Sequence, residues 1–394
     1  MRARYIDLHI TQAIPASCLN RGEYDEPKTL QLGNTMRAAI SSQCQKRAGR
    51  MELEEELDEP AARTRMIPPR VTAALCEAGW PKDLAVFAGV QIARSATAEG
   101  LRTDPQAGHR TLAMLYVLAD GLVDDLAALC TRHRAALEAG HAQETAPKSD
   151  KSGSKKRKAM PAFLPTADVV ALLTRRTATI NLFGRMLAGL SDADVVGAVQ
   201  VAWAFTTHTS DPQPDFLTAV EDWPQAGDRG SAHMDTAFLT AGVFYRYATV
   251  NLTELIHNLG GDQQQAVELL ALFTEVFIMT LPQAKKTSTA PHTVPDLVHY
   301  VVRDRRPVSY AAAFDQPIKA APGGGHLAPT RQTMDTHAAT IDRLIGTRHR
   351  IAHGYATAHN GPLENLGTRH DSFDELIAAA AHAAAPAAPR VGIA

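Results

Sequence analysis

Apolar and polar residues alternate along several short stretches, which is typical of β-strands that bury one face. Residues 5–10 open the chain with this period of two, and residues 199–205 repeat it after a long interruption. Residues 36–40 alternate as well, with Arg37 on the second face. Residues 297–302 are apolar enough for a strand buried on both faces. The pattern therefore predicts a sheet assembled from segments that lie far apart in the chain.

Helical spacing dominates the section between residues 61 and 200, where alanine and leucine are abundant. A period of about 3.6 residues puts one set of leucines on a single helix face: Leu112, Leu115, Leu118, Leu122 and Leu126. Residues 146–165 interrupt the section with lysine, serine, glycine and proline, and we expect a loop there. Two further helices are predicted for residues 252–259 and 262–279, with Gly260 and Gly261 between them. A short helix beyond Asp371 is expected before an alanine- and proline-rich end.

Turn-forming residues mark the segment that follows the strand pattern of residues 199–205. Residues 211–215 and 224–230 are rich in Asp, Pro and Gly, and a short apolar strand lies between them. A second strand follows, so the two strands leave and rejoin the same region as an extended hairpin. Strands separated by a long helical segment and by a hairpin predict an α+β fold that carries two insertions.

Length and composition limit the possible functions. With 394 residues, 45% of them hydrophobic, the chain can bury a large core, and we expect two domains or one domain with large insertions. The formal net charge of -2 gives no general attraction to nucleic acid, so any RNA binding requires a local basic cluster. The four cysteines show no paired spacing, which argues against zinc and disulfides and favours the reducing cytoplasm. Neither a signal peptide nor the ~20 apolar residues of a membrane span is evident, and no membrane association is predicted.

A basic helix start is the most informative chemical feature of the sequence. Ser41 and Ser42 are good caps for the helix that follows, which becomes acidic and stops at Pro60. At about 100° per residue, the helix collects amide and cationic side chains in one stripe: Gln43, Lys46, Arg47 and Arg50. Together with the N–H groups of the helix start, this stripe makes a phosphate-binding surface. For an isolated stripe, a solvated helix face without a ligand is the more frequent explanation.

Three blocks of sequence carry a family resemblance. The first contains CLNR at 18–21, PK at 27–28 and ISSQCQKRA at 40–48. The second contains TTH at 206–208, FLTAVED at 216–222 and GSAH at 230–233, and the third contains GVFYRYA at 242–248 and NLGG at 258–261. In this order and spacing, the blocks resemble the backbone subunit of the type I-E CRISPR Cascade complex, the CasC family.

The resemblance implies a hand-shaped α+β protein with a modified RRM-type, ferredoxin-like palm. The palm would comprise residues 1–60, 199–209 and 241–394, the helical fingers residues 61–198, and the β-hairpin thumb residues 210–240. Copies of this non-catalytic subunit would stack head to tail on CRISPR RNA and present the guide to target DNA in antiviral defence. Other Cascade subunits are implied as partners, whereas no cofactor or metal is implied.

Positions that match the family's contacts are implied as the binding site. The palm contacts to RNA would be Arg21, Lys28, Ser41, Ser42, Gln43, Lys46, Arg47 and Arg50. Met186, at the end of the fingers, would pack against a displaced base. In the thumb, the implied apolar wedges are Leu217 and Met234, and the implied RNA contacts are Thr218, Val220 and His233. Such wedges unstack a base step at a cost of a few kcal/mol.

The palm also departs from the family pattern. Asn34, Thr35 and Met36 stand where family members often carry basic residues, so the palm contributes less charge here. The basic run at residues 155–158, in the predicted finger loop, can compensate by touching the guide or target backbone. A solvated linker with no fixed partner explains this run equally well.

A metal-independent endoribonuclease that processes CRISPR RNA is the alternative function, since it shares the ferredoxin-like architecture. It requires a catalytic histidine and a glycine-rich loop, for which His9 and the GGGH run at 323–326 are superficial candidates. His9 lies within a strand pattern, and we expect a structural role for it. The glycine run is typical of a flexible connector.

Other catalytic or binding functions have weaker support. Target cleavage, as in type III systems, requires an aspartate at the scissile phosphate, and Asp211, Asp215 and Asp222 are available. His349 and His353 have i,i+4 spacing but no zincin glutamate between them, so we expect an exposed helix face and no metal site. The aromatic stacking motif of an independent single-stranded RNA binder is missing.

Overall fold

The structure is a computed structural model that describes residues 3–146, 162–187, 193–220, 222–223, 231–282 and 284–385. The chain forms two compact units. The sheet unit comprises Met1–Leu53 and Ala198–Ala394, and the inserted unit comprises Glu54–Gly197. The finer division into palm, fingers and thumb stays a prediction.

The elements are as follows. The strands are β1 (Tyr5–Ser17), β2 (Thr29–Leu32), β3 (Thr35–Ile40), β4 (Ala61–Thr64), β5 (Thr103–Asp104), β6 (Arg110–Thr111), β7 (Leu115–Leu118), β8 (Val199–Val201), β9 (Ala204–Thr206), β10 (Gln213–Val220), β11 (Ser231–Asn251), β12 (Leu297–Arg303), β13 (Arg350–Thr357) and β14 (Thr368–Arg369). The helices are α1 (Ser42–Glu56), α2 (Ile67–Glu77), α3 (Lys82–Ser95), α4 (Leu122–Arg132), α5 (Arg134–Thr145), α6 (Thr166–Leu173), α7 (Ala178–Phe183), α8 (Leu252–Asn258), α9 (Gln263–Met279), α10 (Lys286–Thr289), α11 (Leu327–Ile345) and α12 (Phe373–Ala384).

β1 lies at the centre of the large sheet in the sheet unit. It pairs antiparallel with β11 on one side and with β12 on the other, so that His9 stands opposite Tyr247 and His299. The order across the sheet is β14-β13-β12-β1-β11-β9-β3-β2, and β8 and β10 also pair with β11. β13 and β14 run parallel, so the sheet is mixed. The predicted α+β class is confirmed.

Helices cover both faces of this sheet. Successive residues of β11 point to opposite faces, and Tyr245 and Tyr247 share a core with Met334 of α11. Arg246, between the two tyrosines, donates to carbonyl oxygens at the C-terminal end of α9, including those of Ile278 and Thr280. Burial lowers the pKa of Arg246 to about 10. The sheet therefore separates an α11 layer from an α9 layer, and α12 packs against α9.

Arg37 shows that β3 is more deeply buried than its alternation predicted. Its guanidinium donates to the carbonyl oxygens of Thr206, Phe314 and Asp315. Residues 37–40 are all buried, because the strand lies inside the sheet and is covered on both faces. The cation therefore has a structural role and is not a ligand contact.

The inserted unit mixes helices with short strands. Apolar residues of α2, α3, α4 and α6 build its core, while β4 pairs with β7 and β5 with β6. The predicted continuous helix face from Leu112 to Leu126 is wrong, since Leu115 and Leu118 lie in β7 and α4 begins only at Leu122. A strand that is followed after three residues by a helix reproduces the spacing of a helical face over this short distance.

Several other sequence predictions can be compared with the structure. The strands β1, β3 and β12 and the helices α8, α9 and α12 confirm the elements predicted there. The shared helix face of His349 and His353 is wrong, because His353 lies in β13. The basic run 155–158, the thumb tip 224–230 and the chain end beyond Ala385 lie outside the described residues. Within the described ranges, the helices fall short of the length and hydropathy needed to cross a membrane.

Candidate nucleic-acid interface

α1 begins with the capped first turn that its serines predict. The Oγ of Ser41 accepts a hydrogen bond from the Cys44 N–H at 3.3 Å, which is the usual role of an N-cap serine. Because Ser41 serves the helix in this way and is buried, it is the least accessible of the predicted palm contacts. Gln43 is exposed on the same turn, whose N–H groups lack acceptors within the helix. The helix start therefore offers donors and the positive end of the helix dipole to an anion.

Asn20 connects the loop after β1 to this helix start. Its Oδ1 accepts the Ser41 N–H at 2.8 Å, and its main-chain oxygen accepts the Lys28 N–H at 2.7 Å. Arg21 forms an isolated bridge with Pro27 in the same loop. The predicted contacts Arg21 and Lys28 are thereby brought to the first turn of α1.

The cationic side chains of this region differ in how they are engaged. Arg47 is exposed, with its Nη1 3.0 Å from the Sδ of Met51, whereas Lys46 and Arg50 are half-buried along the same helix. Arg21 is exposed and paired with Asp25 at 3.1 Å. Arg21 must therefore exchange a carboxylate for a phosphate in order to bind RNA, which weakens its contribution.

Trp203 is a residue of this region that the sequence predictions did not single out as a contact. It lies between β8 and β9, it is 36% exposed, and the Nζ of Lys28 stands 4.7 Å from the centre of its ring. The neighbouring Ala202 carbonyl accepts a hydrogen bond from the buried Gln45 of α1 at 2.8 Å. Its place in the alternating run 199–205 was the only sequence signal for this position, and the structure breaks that predicted strand into β8 and β9 at residues 202–203.

The predicted thumb is an exposed two-stranded ribbon that continues a central strand of the sheet. In the register of β10 and β11, Leu217 stands opposite Asp235, and Thr218 stands opposite Met234. Opposed residues share a face and successive residues alternate, so the two predicted wedges lie on opposite faces of the ribbon. Leu217 is 47% exposed and Met234 66%, and Phe216, at 65%, shares the face of Met234.

Two predicted thumb contacts are described only through their backbone. Val220 pairs with Ser231, and His233 pairs with Ala219, near the tip of the ribbon. The side chains of Val220 and His233 lie outside the described part of the structure. Both predicted contacts therefore stay predictions.

The base of the ribbon is fixed by His208 and Gly242. His208 Nε2 accepts the Val243 N–H at 3.0 Å, so its Nδ1 carries the proton and donates to the Thr209 carbonyl at 2.8 Å. A Cβ on Gly242 would come within 2.9 Å of that Nε2, and glycine is required there. Ser17, the last residue of β1, pairs with Thr240 at the same level. The loop that carries Arg21 and Lys28 and the base of the ribbon therefore start at one end of the sheet.

Met186 belongs to the inserted unit and is 80% exposed. Arg185, the residue before it, pairs with Val195, and its guanidinium donates to the carbonyl oxygens of Thr174, Arg175 and Ala193. The segment is held firmly while the thioether points outward. An exposed, polarizable methionine fits a role against an unstacked base.

His9, the candidate for an endoribonuclease histidine, lies in the core. Its Nδ1 is 2.9 Å from the hydroxyl of Tyr245, and its ring stacks on Tyr310 at a centroid distance of 3.9 Å. Burial holds the pKa of His9 well below its usual value, with His299 adding to the effect. A neutral, fully buried imidazole has no access to an RNA phosphate, so the geometry favours the structural role. Among the described residues, no cluster of His, Cys, Asp and Glu is arranged to hold a metal ion.

Comparisons with known proteins identify relatives of the chain. A family model described as "CT1975-like protein" matches residues 6–379. A solved structure described as "CRISPR RNA-guided surveillance complex, pre-nicking" aligns with a TM-score of 0.85 and 38% identity, over 96% of this chain and 100% of that one. Another, described as "CRISPR RNA-guided surveillance complex", aligns with a TM-score of 0.76 and 32% identity, over 96% and 99% of the two chains. The search of curated proteins gave no match.

Proposed function

This chain belongs to the CT1975-like protein family, and from that premise we propose that it is the CRISPR RNA-binding backbone subunit of a type I-E Cascade surveillance complex. The similarity to chains of CRISPR RNA-guided surveillance complexes supports this function. In the proposal, the sheet unit is an RRM-like palm and copies of the chain polymerise along the guide. Other Cascade subunits complete the complex, which works in the cytoplasm.

The observation that carries the proposal is the junction made by Asn20. Through it, the loop after β1 and the capped start of α1 form one surface with Lys28 and Gln43. This surface offers cations, amide groups and helix N–H donors, which recognise phosphate and ribose but read no base sequence. A guide whose spacer varies requires a reader of this kind.

The exposed ribbon supports assembly between copies. Phe216, Leu217 and Met234 expose apolar surface on its two faces, and an isolated two-stranded ribbon is marginally stable in water. We propose that a neighbouring copy of the chain and the guide–target duplex cover the ribbon, with Leu217 making contacts on one face and Met234 on the other. Non-specific affinity of one subunit for RNA is weak, about 10⁻⁴ to 10⁻⁶ M, so lateral contacts make the assembly cooperative.

The function is tested by removing the cations of α1. With about four phosphates contacted per subunit, the wild-type slope of log K against log salt is about -3. The variant Lys46→Ala, Arg47→Ala and Arg50→Ala in one chain loses about three of these contacts, so its slope is about -1. Binding to guide RNA is measured by fluorescence anisotropy across a salt series, and assembly is measured by native mass spectrometry. We expect assembly to be lost in the variant.

A matched control removes three exposed arginines of the inserted unit by Arg70→Ala, Arg102→Ala and Arg132→Ala. Its net charge changes by the same amount, and we expect the wild-type salt slope. Normal assembly of the α1 variant on guide RNA would count decisively against the palm surface. A salt-independent affinity of the wild-type protein would do the same.

We further propose that the chain does not cut nucleic acid and that it presents the guide for pairing with target DNA. The burial of His9 supports the first point. Incubation with labelled repeat RNA should leave the RNA intact. Cleavage that is lost in His9→Ala would overturn this part of the proposal and favour the endoribonuclease alternative.

A further inference from the structure

A cluster of exposed arginines lies at the end of the sheet opposite to the palm loop, the segment 18–28 that carries Arg21 and Lys28. β12 ends at Arg303, opposite Tyr5 at the start of β1, whereas the palm loop follows the other end of β1. The 13 residues of β1 separate the two ends by about 40 Å. The arginine rim, as we name the cluster, consists of Arg305, Arg306, Arg343 and Arg348, all exposed.

The loop that carries Arg305 and Arg306 is held by a buried carboxylate. Asp7 accepts from the Nε of Arg303 and from the N–H of Val308, both at 3.0 Å, so the two ends of the loop are fixed to one side chain. Val308 lies only five positions beyond Arg303, which leaves the short loop little freedom. Its arginines therefore start from a rigid base.

His349 joins this loop to Arg348. Its Nδ1 donates to Asp304 at 2.9 Å, and its Nε2 accepts from the Nε of Arg348 at 2.8 Å. The Asp304 N–H also donates to the His349 carbonyl at 3.2 Å. The carboxylate of Asp342, next to Arg343, is bonded to the guanidinium of Arg350. The carboxylates that directly precede Arg305 and Arg343 in the sequence are thus bonded to His349 and Arg350.

We propose that the arginine rim binds the phosphodiester backbone of a second nucleic-acid strand, distinct from the guide RNA on the palm. Arginine presents a planar fork of donors that matches phosphate oxygens, and here the forks project from a fixed base. Pairing a guide with one strand of a DNA duplex leaves the other strand single, and that strand needs a basic surface. About 40 Å along β1 separates the rim from the loop that carries Arg21 and Lys28.

The inference rests on the proposed function, and a bubble substrate tests it separately. Guide RNA is first assembled with the wild-type chain, or with a variant carrying Arg305→Gln, Arg306→Gln and Arg348→Gln. Each assembly is then titrated with complementary single-stranded DNA, or with a DNA bubble whose second strand does not pair with the guide. The three arginines that the variant replaces correspond to three phosphate contacts per subunit, which make wild-type binding of the bubble about 20-fold more sensitive to salt between 50 and 200 mM than binding by the variant, from ~0.7 per phosphate.

We expect the rim variant to assemble normally on guide RNA and to bind the complementary strand as the wild type does. Its affinity for the bubble should fall roughly tenfold at low salt, and the additional salt dependence should disappear. The control variant with Arg70→Gln, Arg102→Gln and Arg132→Gln should keep the wild-type affinity for the bubble and the additional salt dependence. Arg305→Lys with Arg348→Lys, which keeps charge without the fork, should recover part of the affinity.

Three results would overturn the inference. Equal binding of the bubble by variant and wild type would show that the rim holds no strand. An equal loss of affinity for the bubble and for the complementary strand would show that the rim contacts the guide–target duplex. Altered assembly before DNA is added would make the rim a protein contact, for which the exposed Leu344 and Ile345 beside it would be the apolar part. A wild-type chain that fails to bind guide RNA at all would instead refute the proposed function.

Discussion

The contact between Lys28 and Trp203 gives a sharp test of the palm. The Lys28 Nζ stands 4.7 Å from the ring centre, and a cation–π contact at a partly exposed site contributes about 0.5–1 kcal/mol. Trp203→Ala removes the surface that orients the ammonium group toward a phosphate. At about 1.4 kcal/mol per factor of ten, we expect RNA affinity per subunit to fall about two- to fivefold.

A double-mutant cycle distinguishes orientation of Lys28 from direct stacking of Trp203 on RNA. Trp203→Ala, Lys28→Ala and the double variant are titrated with a short RNA oligonucleotide by fluorescence anisotropy. If Trp203 acts through Lys28, it contributes nothing once Lys28 is gone, and the coupling energy equals the cation–π contribution of about 0.5–1 kcal/mol. Trp203→Phe, which keeps an aromatic face, should retain most of the affinity.

The salt slope provides a second measurement on the same variants. Lys28→Ala should reduce the slope by about 0.7, because one phosphate contact is lost. Trp203→Ala keeps the charge, so its salt slope should stay close to the wild-type slope although its affinity at low salt falls. Additive effects of the two substitutions, within about 0.3 kcal/mol, would refute the reasoning and make Trp203 an independent stacking contact.

Three further predictions address charge and stability. Asp25→Asn releases Arg21 from its ion pair at 3.1 Å. This substitution should raise RNA affinity by about 1.4- to 5-fold in the same anisotropy assay. An unchanged affinity would show that Arg21 does not face RNA. Burial lowers the pKa of His299 to about 3, so its contribution to stability is complete above pH ~6.5 and is lost as the pH falls from ~6.5 toward about 3. Urea denaturation should show about 2 kcal/mol less stability from this group at pH 5 than at pH 8. His299→Gln, which can still donate to the Gly354 carbonyl, should flatten that pH dependence, and an equally steep curve would contradict the assignment. Arg37→Met leaves two buried carbonyl oxygens and one partly buried carbonyl oxygen without their donor and should cost about 3 kcal/mol or more in urea denaturation. Arg47→Met, at an exposed site, should change stability by less than about 0.5 kcal/mol.

The sequence by itself determined the features that depend on near neighbours. Ser41 caps α1 because its side chain needs only the N–H three residues later. The break between α8 and α9 follows from Gly260 and Gly261, which both adopt positive φ angles of 69° and 98°. The strands β1 and β12 were predictable from their apolar patterns for the same reason.

Only the tertiary structure decided which distant residues meet. Lys28 reaches Trp203 because β3 pairs with β9. The arginine rim forms because β12, β13 and the C-terminal end of α11 come together at one end of the sheet. Arg37, which alternation alone does not place in the core, is buried because carbonyl oxygens from two other segments accept its donors. Leu115 pairs with Thr64 in a strand although its spacing also suits a helix. Periodicity fixes the local backbone, but strand pairing over long sequence separations fixes the partners, and a single sequence does not encode those partners in any local pattern.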